Sequence, residues 1–257
     1  MRRRFNSTQA LYHNPRVTSV LRSPMASRPP DPSALWDAAT PLGGLLALER
    51  RWLASRRIGV VSGAKVWIAP IPVEAAAGDC IGLVLAGAGR LTGPMCARAD
   101  ALPFADGSVR LLVLQHALDR PFEAAVYGEC VRVLATGAEL VVFGLNPLSA
   151  WRPWVAWRAR RNGARPRARM ASRVGALFGQ LGLATQSLTW IGPHRPGSIM
   201  VDDASVSPRA MFRAAYALSM RKPHDSVIRL RPRSADREVD FGPGFVPNAT
   251  PRVGTGP

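Results

Sequence analysis

Lysine is nearly missing from this chain of 257 residues: Lys65 and Lys222 are the only two. The basic balance, 34 Lys and Arg against 17 Asp and Glu for a formal charge of +17, is therefore carried by arginine. A surface of that sign attracts nucleic acid or anionic lipid non-specifically. The chain is also rich in Ala, Gly and Pro, so a compositional bias explains the arginine as well as a functional basic surface does. Cysteine is scarce: Cys80, Cys96 and Cys130 show no C-x-x-C spacing and no histidine at zinc-ligand distance. That excludes a disulfide scaffold and gives no metal centre. Free thiols suit a reducing compartment, and a cytoplasmic protein is expected. Long apolar runs are missing too. The longest, 81–88 and 111–114, are strand-sized, well short of the roughly 18 residues of a membrane-spanning helix. Acidic residues are absent from residues 1–30, which carry six arginines and no continuous apolar stretch, so a secretory signal is not expected. That stretch superficially looks like an organellar transit peptide. The favoured reading is a disordered basic arm, or an upstream start with the true start at Met25.

What is present is 47% hydrophobic residues, enough for one α/β core that buries roughly 70–75% of the unfolded surface. Over 37–57, Leu42, Leu45, Leu46, Leu48, Trp52 and Leu53 recur at helical spacing, with Pro41 acceptable near the start. Residues 65–69, 81–85 and 110–114 are short β-rich runs. Residues 122–134 predict a helix with Ala125, Val126, Cys130, Val133 and Leu134 on one side. Thr136-Gly137 should stop it, because glycine accepts the left-handed cap geometry. Residues 139–143 then predict a buried strand, 170–183 a helix, and 184–191 and 215–220 two more strands. This alternation predicts an α/β domain over 31–222, a doubly wound, mostly parallel sheet with helices on both faces. From 223 to 257, Pro, Gly, Arg and Asp mix without period, which predicts a disordered tail.

Residues 98–147 carry more specific information. They present, in order, Asp100, Leu102-Pro103-Phe104, Asp106, Ser108, His116, Glu129, Arg132-Val133-Leu134 and Gly137. Pro103 fixes φ and Gly107 permits positive φ, so this is a turn leading into the strand 110–114. Glu129 and Arg132, three apart on a helix, can pair. The pattern resembles the class I S-adenosylmethionine-dependent methyltransferase family, specifically its type 11 group. The block Phe143, Gly144, Asn146, Pro147, Ser149 and Trp151 looks like a bacterial subgroup of uncharacterised members. The resemblance implies the Rossmann-like class I fold, S-adenosylmethionine as cofactor, and methyl transfer to an acceptor it does not name.

Members of that family hold the cofactor with a Gly-rich turn after the first strand, an acidic residue at the end of the second, and an Asp after the third. The resemblance gives the third role to Asp100, followed by Ala101 and Leu102. It puts Gln115 and His116 at the reacting end, with His116 a candidate catalytic base because its pKa lies near neutrality. The first two features are missing. Residues 65–69 run into Pro70-Ile71-Pro72-Val73-Glu74, where two prolines remove two N–H donors. Residues 81–85 run into Ala86-Gly87-Ala88-Gly89 with no carboxylate. A charge-assisted hydrogen bond is worth about 1.5–3 kcal/mol, so that loss alone costs roughly 10- to 100-fold in affinity. Arg110 also stands where an Asp commonly starts the fourth strand. The cofactor site is therefore read as eroded. The alternative function is a degenerate binding or scaffold protein on the same fold, contacting nucleic acid through its arginines. A rival dinucleotide fingerprint (Gly87, Gly89, Gly93 and Asp106) fails because Pro94 and Pro103 interrupt the helix it needs.

After Pro147, residues 151–173 form a basic, Trp-rich insertion. Trp151, Trp154 and Trp157 are spaced by three, and a helix from about 153 would bring Trp154 near Trp157. Three roles compete: a cap over the crevice, a contact with an anionic membrane surface, and a nucleic-acid contact with arginines on phosphates and tryptophans on bases. The cap is favoured, because at 100° per residue Arg158 and Arg161 return to the Trp side and spoil a clean membrane face.

Overall fold

Each strand foreseen from the sequence joins one sheet. The computed structural model describes residues 32–56, 62–73, 80–120, 124–162, 166–197 and 208–224. The arm expected over 1–30, and all of the tail expected over 223–257 except 223 and 224, lie outside the described residues. The elements are α1 (Pro41–Ser55), β1 (Ala64–Ala69), β2 (Cys80–Leu85), β3 (Arg90–Thr92), β4 (Ala97–Arg98), β5 (Val109–Gln115), α2 (Ala124–Val133), β6 (Leu134–Leu145), α3 (Trp151–Arg161), α4 (Ala171–Gln180), β7 (Ala184–Ile191) and β8 (Ala215–Arg221).

The eight strands lie in the order β4-β3-β2-β1-β5-β6-β8-β7. β1 pairs in parallel with β2 and β5, and β5 with β6. β3 and β8 are antiparallel to both their neighbours. Two reversals restore direction, so β4 and β7 point the same way as the central strands, and only β3 and β8 run against the rest. The sheet is doubly wound and mostly parallel, as the alternation predicted. β3 and β4 are the unforeseen elements. β3 runs back beside β2 where a parallel sheet ordinarily carries a crossover helix, because the chain returns at once through the 3-10 turn Gly87–Gly89, with Gly89 at φ 73°.

Alternation along the strands divides the core. On one face Leu112, Leu114, Leu140 and Val142 meet Val126, Cys130 and Val133 of α2 and Val174 and Phe178 of α4. On the other, Leu111, Val113, Val141 and Phe143 meet Leu48 and Leu53 of α1. Thr40 caps α1, its hydroxyl accepting from the N–H of Gly43 at 3.2 Å, and Pro41 stands at the first position. A third cluster joins the 3-10 turn Pro32–Trp36, the start of α1 and α3 over the end of β6.

One boundary differs from expectation. α2 ends at Val133 and the chain enters β6 at once, at Leu134 and not at 139. Gly137 does take positive φ (76°), but inside the strand. It sits at a bulge, where pairing with β5 jumps from Val109↔Leu134 to Leu111↔Glu139.

Gly144 faces Tyr216 across the β6–β8 pair, and a Cβ there would collide with the buried Tyr216 hydroxyl. Gly144→Ala is expected to destabilise the fold by about 1–3 kcal/mol through overpacking. A lowered urea midpoint checks this; an unchanged midpoint contradicts the register.

Candidate functional site

In open α/β sheets, ligands bind beyond the carboxyl ends of the parallel strands. Here that rim is built from Ala69-Pro70 after β1, Ala86-Gly87 after β2, the turn after β5, and Asn146-Pro147 after β6. The pairing register brings Asp100 to the rim. Arg98 of β4 sits beside Arg90, and the N–H of Ala99 donates to the carbonyl of Gly89, beyond the end of β2, at 2.8 Å. The Asp100 carboxylate is held in a two-pronged pair with Arg98, at 2.8 and 2.7 Å. Its pKa is lowered, first by the hydrogen bond from Arg98. A carboxylate has about four lone-pair sites, so both oxygens can still accept further donors. Ala101 is exposed beside it and Leu102 is buried.

The Leu102–Asp106 turn is clasped from below by α2. Glu129 accepts from the N–H of Leu102 at 2.6 Å and from Arg132 at 2.8 and 2.7 Å. Arg132 also donates to the carbonyls of Leu102 (3.2 Å) and Phe104 (3.0 Å) and pairs with Asp106. Hydrogen bonding to Arg132 lowers the pKa of Glu129. The Glu-x-x-Arg spacing thus serves the architecture, fixing the turn that carries the chain from Asp100 into β5.

After β1 and β2, where the resemblance expects the first two cofactor contacts, the described residues make other contacts. Pro70 is buried, and the next residues turn away from the rim. Val73 packs against Gly82 of β2, and Arg50 donates to the carbonyl of Pro72 at 3.2 Å. Past the end of β2, the Arg120 guanidinium donates to the carbonyl of Ala86 at 3.1 Å. Among the described residues, Asp100 stands at the rim, Pro70-Ile71-Pro72 follow β1, and no carboxylate directly follows β2.

Gln115 and His116 stand at the end of β5, but the structure buries both under α1. His116 is 1% exposed and has a left-handed backbone (φ 50°), the sole non-glycine residue with positive φ among those described. Its Nδ1 meets Asp119 Oδ2 at 2.7 Å and its Nε2 meets Glu49 Oε1 at 2.9 Å. Gln115 donates to Glu49 Oε2 at 2.8 Å, and the N–H of Leu145 donates to Asp119 Oδ2 at 2.9 Å. Trp36 stacks on the imidazole, with centroids 4.4 Å apart. Burial alone would lower the His116 pKa. The Glu49 charge and the hydrogen bonds to both carboxylates outweigh it and raise it to about 10. A neutral imidazole has one N–H and would leave a lone pair facing one carboxylate, so the imidazolium satisfies the geometry. In this arrangement neither ring nitrogen is free to take a proton from a substrate.

Glu49 and Asp119 went unnoticed in the sequence. The signal was there: Glu49 continues the buried stripe Leu42–Leu45–Leu46 on α1, and Asp119 follows His116 by three.

The Trp-rich insertion forms α3 and closes the rim over β6. Trp151 is buried and donates to the carbonyl of Pro193 at 2.9 Å. Trp154 meets Trp151 edge-on at 5.7 Å, whereas Trp157 is exposed beneath Arg161, 4.2 Å from the ring. The anticipated Trp154–Trp157 pairing is replaced by Trp151–Trp154, since Trp151 is the residue that faces the core.

No family model matches the chain, and no curated relative does. The solved structures do give a likeness. A SAM-dependent methyltransferase from Archaeoglobus fulgidus superposes with a TM-score of 0.51 at 11% identity, over 68% of this chain and 94% of that one. The chain has the class I methyltransferase fold. An S-adenosylmethionine-dependent methyltransferase from Mesorhizobium loti also matches, at 15% identity and a TM-score of 0.48, over 66% of this chain and 97% of that one. At these identities the likeness concerns the methyltransferase fold and not the individual side chains of the rim.

His116→Ala strands two buried carboxylates and is expected to cost about 3–5 kcal/mol of stability. Urea unfolding measures it; a loss near zero contradicts the buried tie. The pH sign follows from the raised pKa. The stabilisation is complete below the ordinary value of 6.5 and is lost as pH climbs through about 10. Unfolding free energy should therefore fall between those values, by up to about 1.4 kcal/mol per pH unit, and His116→Ala should flatten the profile. An unflattened profile contradicts the assignment.

Proposed function

We propose that the chain is an S-adenosylmethionine-dependent methyltransferase with a weakened cofactor site, acting on an acceptor that its sequence does not name. The observation that carries this reading is the methyltransferase fold together with an acidic residue, Asp100, at the rim, where the resemblance to the type 11 group expects the adenine contact. Bound there, the cofactor would supply an electrophilic methyl group, and the protein's part would be to align an acceptor with it. Asp100 would accept the adenine amino group, with Ala101 and Leu102 beside it. Gln115 and His116 would support the reacting end from beneath, by fixing α1 and the turn after β5. That role for His116 replaces the earlier expectation of a general base, because both its nitrogens already face carboxylates. Among the described residues no helix is long and apolar enough to cross a membrane, and a cytoplasmic setting remains part of the proposal.

A second reading has its own support. Pro70 and Pro72 follow β1 where the resemblance expects a glycine turn, and past β2, where it expects a carboxylate, the Arg120 guanidinium reaches the carbonyl of Ala86. These features favour a degenerate member that keeps the fold as a binding or scaffold module.

Calorimetry with S-adenosylmethionine separates the two. The methyltransferase reading expects saturable binding, weakened at least about tenfold by Asp100→Ala, as loss of a charge-assisted hydrogen bond requires. No heat at millimolar cofactor removes the catalytic claim and leaves the scaffold.

A further inference from the structure

A cavity of about 670 Å³ opens at the carboxyl end of β6, between α3 and the start of α4. That is within the roughly 300–1,000 Å³ usual for small-molecule sites. Its apolar wall is Leu145 and Pro147 from the end of β6, Trp151 and Val155 from α3, and Met170. Its charged wall is four arginines: Arg152 of α3, Arg167 and Arg169 of the connecting segment, and Arg173 in the first turn of α4. No carboxylate lines it among the described residues.

Arg169 is anchored, donating to the Tyr127 hydroxyl at 2.5 Å and standing over that ring. Arg152, Arg167 and Arg173 are exposed, and their side chains make no hydrogen bond or ion pair with other described residues. Four like charges around one cavity repel each other, and an anion seated among them removes that cost. Guanidinium groups match phosphate and carboxylate in a two-pronged geometry. The cavity adjoins the rim: the N–H of Arg167 donates to the carbonyl of Asp119 in the turn after β5, at 2.5 Å.

We propose that this cavity seats the methyl acceptor, and that the acceptor is a small organic anion: an apolar or aromatic body carrying a phosphate or carboxylate. The apolar wall takes the body and the arginines take the charge. The role as acceptor site rests on the methyltransferase reading above; the binding of the anion does not. A polynucleotide would instead use the outer face of α3, where Trp157, Arg160 and Arg161 are exposed.

The test uses the full chain without cofactor, at low salt, titrated calorimetrically with 1-naphthyl phosphate and with 1-naphthol. The phosphate should bind at least about tenfold more tightly than the alcohol. The double variant Arg152→Ala/Arg173→Ala should abolish that difference with an unchanged melting temperature, and Arg160→Ala, on α3 but outside the cavity, should preserve it. Equal binding of phosphate and alcohol overturns the proposal. So does equal weakening by Arg160→Ala, which would mean a diffuse charge effect, or binding of mixed RNA with none of naphthyl phosphate. If naphthyl phosphate binds as expected while S-adenosylmethionine does not, the anion site stands and its role as acceptor seat falls.

Discussion

Three segments distant in the chain meet at one buried imidazole. His116, at the end of β5, is held by Glu49 from α1 and by Asp119 from the turn that follows, and Asp119 also takes the N–H of Leu145 at the end of β6. Burying two carboxylates would be prohibitive without this pairing, since an isolated charge loses its hydration on entering the core. The cation between them also fixes what surrounds it. Trp36 stacks on the ring at an interplanar angle of 29°, and that contact brings the 32–36 turn over the rim. The cost of parting these groups keeps α1 where it covers the strand ends.

This tie sets the shape of everything above the sheet. The turn after β5 is pinned from below by Asp119, and from it Arg120 reaches the end of β2 while the Asp119 carbonyl receives the segment carrying Arg167. One side of the rim is closed by α1 and α3, and the arginine-lined cavity opens beside them. At the other edge, Asp100 is positioned by a separate device, the Glu129–Arg132 clasp on α2. Two polar networks, one buried and one half-exposed, therefore hold the two ends of the rim. Neither depends on the residues that follow β1.

The fold was legible because it rests on local patterns. Apolar runs such as 110–114 and 139–143 announce strands, Thr40-Pro41 announces a helix start, and Glu129 and Arg132 announce a pair by their spacing. The site was less legible because it rests on contacts across the chain. His116 read as a candidate base from its residue type, but its role is set by Glu49, 67 positions away. The gathering of Arg152, Arg167, Arg169 and Arg173 depends on how the segment after α3 docks on the turn after β5. β3 and β4 were not legible because strands of three and two residues are too short for a period to show.

The most direct measurement is the ring-nitrogen NMR spectrum of His116 followed from pH 6 to pH 9. A buried cation bonded to both Glu49 and Asp119 should keep two N–H protons, protected from solvent exchange, across that range. A single ring proton, or a titration near the ordinary histidine value, would contradict it, and the rim built upon that tie would have to be redrawn.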